Sequence, residues 1–415
     1  MQDGPAIAPQ AAAGAGRKRM PVLIHWTVSS FSGWGVYGLN IALAWANDKQ
    51  VEAVCSRKML AETIQVDPLR ARVLAPFLAT TRAFHAQLQP FAGQTIAANH
   101  LMLAAVHADF GIPVGAHDVK ISGQPTIAVT FFETARFTPE DIARAATYPL
   151  IVTGSTWNTR VLAAHGLTRV QTVLQGIDPT LFHPAPRAGH MGERFCVFSG
   201  GKLEYRKGQD IAVAAFARFA RRHPDALLVS AWHNPWPELV KSLADSRVTA
   251  SVPFTADGRP DVQLWTRAAG IPPHQFLDLG AVPNAAMPTI LREMDVAVFP
   301  NRCEGGTNLV AMECMACGVP TILSANTGHL DLIDDATCFP LLAQAPHAGM
   351  REGYAGAGGW GESDVDEVVE ALERAYADRA EAARRAQRGA ALVAEMTWAR
   401  TAARTKQIVL EYAAA

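Results

Sequence analysis

Two doubly wound α/β domains of Rossmann-like type, facing each other across a central cleft, are predicted by three features of the sequence. The chain has 415 residues, more than one hydrophobic core ordinarily serves, so two domains are expected. Short apolar runs of strand character alternate with segments of helical spacing, the pattern of a parallel sheet covered by helices. That alternation begins twice, once near residue 22 and again near residue 195.

In the first half, 22-VLIHWTV-28 has strand character, a Gly/Ser loop follows, and 36-VYGLNIALAWA-46 has helical spacing before the short strand 51-VEAVC-55. Further strands are expected at 125-PTIAVTFF-132 and 149-PLIVTG-154, and 159-TRVLAAHG-166 reads as a helix ended by glycine. The second half runs strand 195-FCVFSG-200, helix 209-QDIAVAAFARFARRH-223, strand 226-ALLVSAW-232 and strand 276-FLDLGAV-282. Helix 284-NAAMPTILREM-294, strand 295-DVAVFP-300, a helix over 308–317 and strand 319-VPTILSA-325 complete it. Right-handed crossovers make each half a doubly wound sheet. The Pro-rich stretch 183-HPAPRAGH-190 marks the boundary. The expected organisation is a flexible tail (1–19), a first domain (20–185), a second domain (186–395), and a C-terminal helical segment (396–415) packing back on the first domain.

Lys plus Arg (37) balances Asp plus Glu (38), a formal net charge of −1, which argues against a nucleic-acid partner. The tail lacks the apolar block of a signal peptide, and no run approaches the ~20 apolar residues that span a bilayer. A cytoplasmic protein is expected, with peripheral contact at the inner face of a membrane left open. Six cysteines are sparse usage, consistent with free thiols in a reducing compartment. Cys314 and Cys317 form a C-x-x-C inside an apolar helical run and read as small core thiols rather than metal or redox ligands. The D-x-D in 363-SDVDEVVEALERA-375 reads as a helix start capped by Ser363 or Asp364. No metal ligation is expected.

Two loops carry the candidate chemistry. In 199-SGGKLEYRKG-208, Gly200 and Gly201 permit close backbone approach, and Lys202 and Lys207 place two ammonium groups where a diphosphate would lie. In 300-PNRCEGGTNLVAMECMACGVP-320, Thr307 or Asn308 can cap a helix whose first amides form an anion site, with room left by Gly305 and Gly306. Glu304 stands in that loop. Glu313 lies among Leu309, Val310, Met312 and Met315, where a carboxylate needs partners such as sugar or ribose hydroxyls; a solvent-facing helix residue is the other reading of Glu313.

Taken together, GGKLEYRKG, LGAVP and EGGTNLVAMECMACGVP resemble the C-terminal domain of retaining GT-B glycosyltransferases of the group 1 type, a family 4-like pattern. The segments 154-GSTWNTRVLAAHG-166 and 171-QTVLQGIDPTLFHP-184 extend the resemblance into the first half. It implies a GT-B enzyme that moves a sugar from a UDP- or GDP-sugar to an acceptor hydroxyl on a glycan, a lipid-linked or a small molecule. No tightly bound cofactor is implied; the nucleotide sugar is a co-substrate. By the same resemblance Lys202 and Lys207 neutralise the donor diphosphate and Glu313 binds the ribose. Glu304, with the backbone of Gly305, Gly306 and Thr307, faces the donor sugar. The amides of Asn308, Leu309 and Val310 meet phosphate, and the strand end at Gly280 to Val282 holds the base. Two departures stand out: Lys202 replaces the usual arginine, and the acidic spacing is E-x8-E instead of E-x7-E.

On the acceptor side Glu133 and Arg136 occupy the region of a family histidine, where Glu133 either orients the acceptor or forms a structural ion pair. His25 reads as a core histidine, and Trp232 and Trp236 as half-buried loop packing rather than sugar platforms. The stretch 33-GWGVYG-38 has the spacing of a dinucleotide fingerprint, but 29-SSFS-32 separates it from the strand, and no acid ends the second strand. It resembles instead the family's glycine-rich loop over the donor phosphates, with Gly33 and Gly35 allowing close approach and Gly38 tight helix packing. A non-catalytic GT-B scaffold subunit and an NAD(P)-dependent oxidoreductase are the alternatives.

Overall fold

The computed structural model of the chain describes residues 19–113, 119–347 and 358–414; residues 1–18 of the expected tail lie outside them. Twelve strands form two six-stranded sheets. The first contains β1 (Met20–His25), β2 (Val51–Cys55), β3 (Met102–Ala105), β4 (Thr126–Thr130), β5 (Ile151–Thr153) and β6 (Val170–Thr172), ordered β2-β1-β3-β4-β5-β6. The second contains β7 (Phe195–Gly201), β8 (Ala226–Trp232), β9 (Phe276–Asp278), β10 (Val296–Phe299), β11 (Thr321–Ser324) and β12 (Phe339–Leu341), ordered β9-β8-β7-β10-β11-β12. Every pairing within these sheets is parallel. Helices cover both faces, so strands such as Val22–Ile24 and Cys196–Phe198 are wholly buried and read as unbroken apolar runs. The second order is the doubly wound arrangement, and each sheet reverses direction beside its first strand, where ligands bind at carboxyl ends.

Several boundaries differ from expectation for local reasons. The first strand stops at His25, and the following helix starts at Gly33, capped by the Ser32 side chain, which accepts from Gly35 N at 3.1 Å. The fingerprint glycines therefore lie in a helix rather than a loop. The expected helix 284–294 shortens to a 3-10 turn, Asn284–Ala286, and a helix over Met287–Leu291, because Pro288 is tolerated only near a helix start. Pro68–Leu88, capped by Asp67, is a long helix that the sequence reading omitted. Asp364, not Ser363, caps the helix Val365–Ala377.

The C-terminal helix Trp398–Ala413 packs on Gly33–Trp45: Trp45 Nε1 donates to Ala402 O at 3.2 Å and Lys406 pairs with Asp48 at 2.6 Å. The two halves also meet directly, through Ser155 Oγ to Gly305 O (2.7 Å), Asn284 N to Ser30 O (2.9 Å) and Trp360 Nε1 to Glu133 O (2.6 Å). Among the described residues no helix is long and apolar enough to cross a membrane.

Candidate active site

A cleft of about 280 Å³ lies between the carboxyl ends of the two sheets. Its first-half wall comes from Ser30 to Trp34 after β1, Phe131 and Glu133 after β4, and Gln175 after β6. Its second-half wall comes from the loops after β7, β8, β9 and β10.

The structure gathers most of the residues singled out from sequence. Gly33, Glu133, Gly201, Lys202, Lys207, Val282, Glu304, Gly306, Asn308, Leu309, Val310 and Glu313 all border the cleft. Four others serve packing behind the wall. A Cβ on Gly35 would stand 2.1 Å from Ser29 Oγ, one on Gly200 2.8 Å from Phe198, and one on Gly305 2.1 Å from Phe131 O. Thr307 is buried with its hydroxyl 2.9 Å from Met312 Sδ. Gly35, Gly200 and Gly305 are demanded by neighbouring protein atoms and do not border the cleft. Gly33 does face the opening: the nearest atom to its Cβ would be Leu309 Cδ1, 3.8 Å away across the cleft.

The Leu309–Ala316 helix points its amino end at this space. Asn308 occupies the cap position at φ 63° but makes no side-chain cap bond; its Nδ2 instead donates to His329 Nε2 at 3.0 Å. Burial lowers His329 to about 4 against the pull of Glu304, so its ring is neutral and accepts this bond. The expected cap by Thr307 or Asn308 is absent, leaving the helix's first amides for solvent or a ligand.

One charge network organises the floor. Lys207 Nζ donates to Glu304 Oε1 at 2.5 Å, and Asn301 Nδ2 donates to the same oxygen. Arg206, only 3% exposed, pairs with Glu204, with Glu133 (3.1 Å) and with Glu304 (3.4 Å), and donates to Cys303 O at 2.7 Å. Burial alone would raise the Glu304 carboxyl, but Lys207 and Arg206 outweigh it and hold it at about 2. For Lys207 burial outweighs Glu304, and its ammonium is pulled down from the usual lysine value. Glu133 is 39% exposed, yet it opens into the confined cleft rather than bulk water. Its desolvation exceeds the pull of Arg206, and the carboxyl is raised. Glu133 thus forms an ion pair between the two halves, and it still borders the reaction space.

The helix Gln209–Ala220, which follows the loop after β7, is held to the loop after β10 by a fully buried bidentate pair, Arg302 with Asp210, both bonds 2.8 Å. The Arg302 guanidinium also lies 3.7 Å over the Tyr205 ring and donates to Tyr205 O at 2.7 Å. Such planar, multiply bonded geometry fixes both loops in register.

Glu313 sits at the far end, only 6% exposed. Burial raises its carboxyl to about 8, opposed only by the bond from Asn284 Nδ2 at 2.5 Å. The solvent-facing reading of Glu313 is therefore corrected. Trp232 is buried and donates to Ser199 Oγ at 3.2 Å, whereas Trp236 is 48% exposed on the cleft wall with Lys202 Nζ 5.3 Å from its ring centre. Sequence reasoning missed Arg206, Gln175, His233, Trp236 and Asn284 as wall residues. Arg206 carried a signal, a second cation adjoining Lys207, and Trp236 carried one in its aromatic ring, which the expectation of loop packing set aside.

The paired parallel sheets and their shared cleft define the GT-B fold. A sucrose-phosphate synthase from Thermosynechococcus elongatus superposes with a TM-score of 0.64 at 15% identity, covering 96% of this chain and all of that one. Anabaena Alr3699/HepE, solved in complex with UDP and glucose, superposes at 0.58 with 13% identity, covering 95% and 100%. Residues 283–405 match the family model described as "Family 4 Glycosyltransferase in conflict systems". A GDP-mannose-dependent α-(1-6)-phosphatidylinositol monomannoside mannosyltransferase of Mycolicibacterium smegmatis is 26% identical over 174 residues, 39% of each chain. The chain thus spans about two fifths of that curated relative.

Proposed function

We propose that this chain is a glycosyltransferase that takes a sugar from a UDP- or GDP-sugar and transfers it, with retention, to an acceptor hydroxyl on a carbohydrate or lipid-linked molecule. The observation that carries the reading is the convergence of Lys202, Arg206 and Lys207 with an uncapped helix start and with Glu304 and Glu313 in one cleft of a GT-B fold. In the transfer the acceptor oxygen bonds to the anomeric carbon while the bond from that carbon to the phosphate oxygen breaks. The nucleotide diphosphate leaves with the electron pair, and the acceptor proton passes to the leaving phosphate or to water. Charge grows on the diphosphate, where Lys202, Lys207 and the amides of Leu309 and Val310 stand ready to stabilise it. Glu313 holds the ribose, Val282 borders the base, and Glu304 orients the donor sugar while keeping Lys207 in place. The enzyme needs no tightly bound cofactor. The matched family segment and the mannosyltransferase relative support this reading.

The test is nucleotide release from a panel of UDP- and GDP-sugars. One donor should be hydrolysed slowly, and Lys207→Ala and Glu313→Ala should each abolish that release. No turnover of any donor, with or without cell extract as acceptor source, refutes it. One observation favours a second reading, a nucleotide-binding scaffold subunit: Lys207, Arg206 and Asn301 already engage the Glu304 carboxylate in the longer E-x8-E loop. That reading predicts nucleotide binding without release.

A further inference from the structure

The three cations that border the cleft from the loop after β7 are held in different ways. Lys207 pairs with Glu304, and Arg206 with Glu204, Glu133 and Glu304. Lys202 forms no ion pair with a described residue; Glu133 and Glu204 feel its charge only from beyond contact distance. Its ammonium stands instead over an indole, with Nζ 5.3 Å from the centre of the Trp236 ring. That lies inside the ~6 Å at which an aromatic face attracts a cation.

The loop after β8 is built to hold that ring still. Pro235 and Pro237 flank Trp236, and a following proline restricts a residue to extended backbone, here φ −116° and ψ 86°. Asn234 braces the loop in two directions: its Oδ1 accepts from Trp236 N at 3.0 Å, and its Nδ2 donates to Leu203 O, beside Lys202, at 3.0 Å. Ser242 Oγ, further along, accepts from Tyr205 N at 3.0 Å. Lys202 is fixed at its backbone, where Gln209 Nε2 donates to its carbonyl at 2.8 Å. Packing does not account for the ring, which is 48% exposed on the cleft wall. The strand order β9-β8-β7 sets it between the Gly280–Val282 edge and Lys202.

We propose that Trp236 is a positioning residue whose ring holds the Lys202 ammonium toward the diphosphate of the nucleotide sugar. The inference rests on the glycosyltransferase reading. A carboxylate partner cancels part of the charge that the leaving diphosphate needs, as Glu304 does for Lys207. An indole has no net charge and leaves Lys202 a full cation. Lysine lacks the rigid fork of arginine and carries its charge on a flexible stem. The ring restrains that stem before the ligand arrives, which offsets part of the ordering cost of binding.

Calorimetric titration of the full chain with UDP and GDP tests the proposal through a double-mutant cycle on Trp236→Ala and Lys202→Ala. Trp236→Ala should weaken the nucleotide that binds by about five-fold or more in the native background, and by less than about two-fold once Lys202 is alanine. Trp236→Phe keeps an aromatic face and should stay within about three-fold of the native chain. An equal loss in both backgrounds means that the ring touches the nucleotide itself, and it overturns the proposal. Unchanged affinity in Trp236→Ala overturns it too, as does a loss in Trp236→Phe as large as that in Trp236→Ala. If the native chain binds neither nucleotide, the glycosyltransferase reading fails and this inference falls with it.

Discussion

Replacing Glu313 by glutamine probes the buried acid at the far end of the cleft. Its carboxyl is raised to about 8 in the folded chain, against about 4.3 in an unfolded one. Between those values the folded state keeps a proton that the unfolded state has lost, so the folded state binds more protons and stability falls as pH rises. This contribution is complete below about pH 4.3, declines through neutrality and levels off above about pH 8. At ~1.36 kcal/mol per unit, the cost at pH 7 is about 3–4 kcal/mol relative to pH 4.3. Glutamine is neutral throughout and still accepts from Asn284, so it removes the slope while keeping the bond. Urea unfolding of both proteins at intervals from pH 5 to pH 8 isolates the effect, because every other group titrates in both. The glutamine variant should gain steadily, by about 3–4 kcal/mol across that interval. A difference between the two proteins that stays constant with pH refutes the assignment of Glu313 as a desolvated acid.

The glycines of the first helix should separate packing from ligand approach. Gly35→Ala meets Ser29 backbone at 2.8 Å and should cost about 1–3 kcal/mol in unfolding experiments, whereas Gly33→Ala should leave stability unchanged within about 0.5 kcal/mol and weaken nucleotide-sugar binding. Asp210→Ala removes the bidentate partner of the buried Arg302 guanidinium and leaves it the half-buried Glu362 carboxylate at 3.2 Å, so chemical denaturation should show a loss of about 3 kcal/mol.

Both halves announced themselves through runs such as 22-VLIHWTV-28 and 195-FCVFSG-200, because strands buried on both faces leave an unbroken apolar record. Element ends were less legible. The start of the first helix depended on whether Ser32 caps it, and Gly33 to Gly35, which form its first turn, read equally well as part of the loop by composition. The helix from Pro68 was missed although Asp67 and Pro68 form a regular start signal. Its internal Pro76 and scattered arginines hide the apolar stripe formed by Leu74, Phe77, Phe84 and Leu88.

At the site, Lys202, Lys207, Glu304 and Glu313, singled out by motif spacing, border one cleft. What spacing could not supply was the pairing of those charges. Arg206 stands unremarked in the same loop sequence, yet its guanidinium ties together carboxylates from three loops. Gly35, Gly200 and Gly305 matched a pattern that also arises from backbone packing, and only the neighbours of a missing Cβ distinguish the two. The uncapped state of the Leu309 helix was hidden because Asn308 is a common cap whose side chain here is diverted to His329.

The central claim is that the cleft between the two sheets is a nucleotide-diphosphate-sugar site. Calorimetric titration of the protein with UDP, GDP and NADPH tests it most directly. The account predicts that UDP or GDP binds at one site per chain and outcompetes NADPH, and that Glu313→Ala reduces the affinity at least ten-fold. Tight NADPH binding with no binding of either nucleoside diphosphate would contradict it.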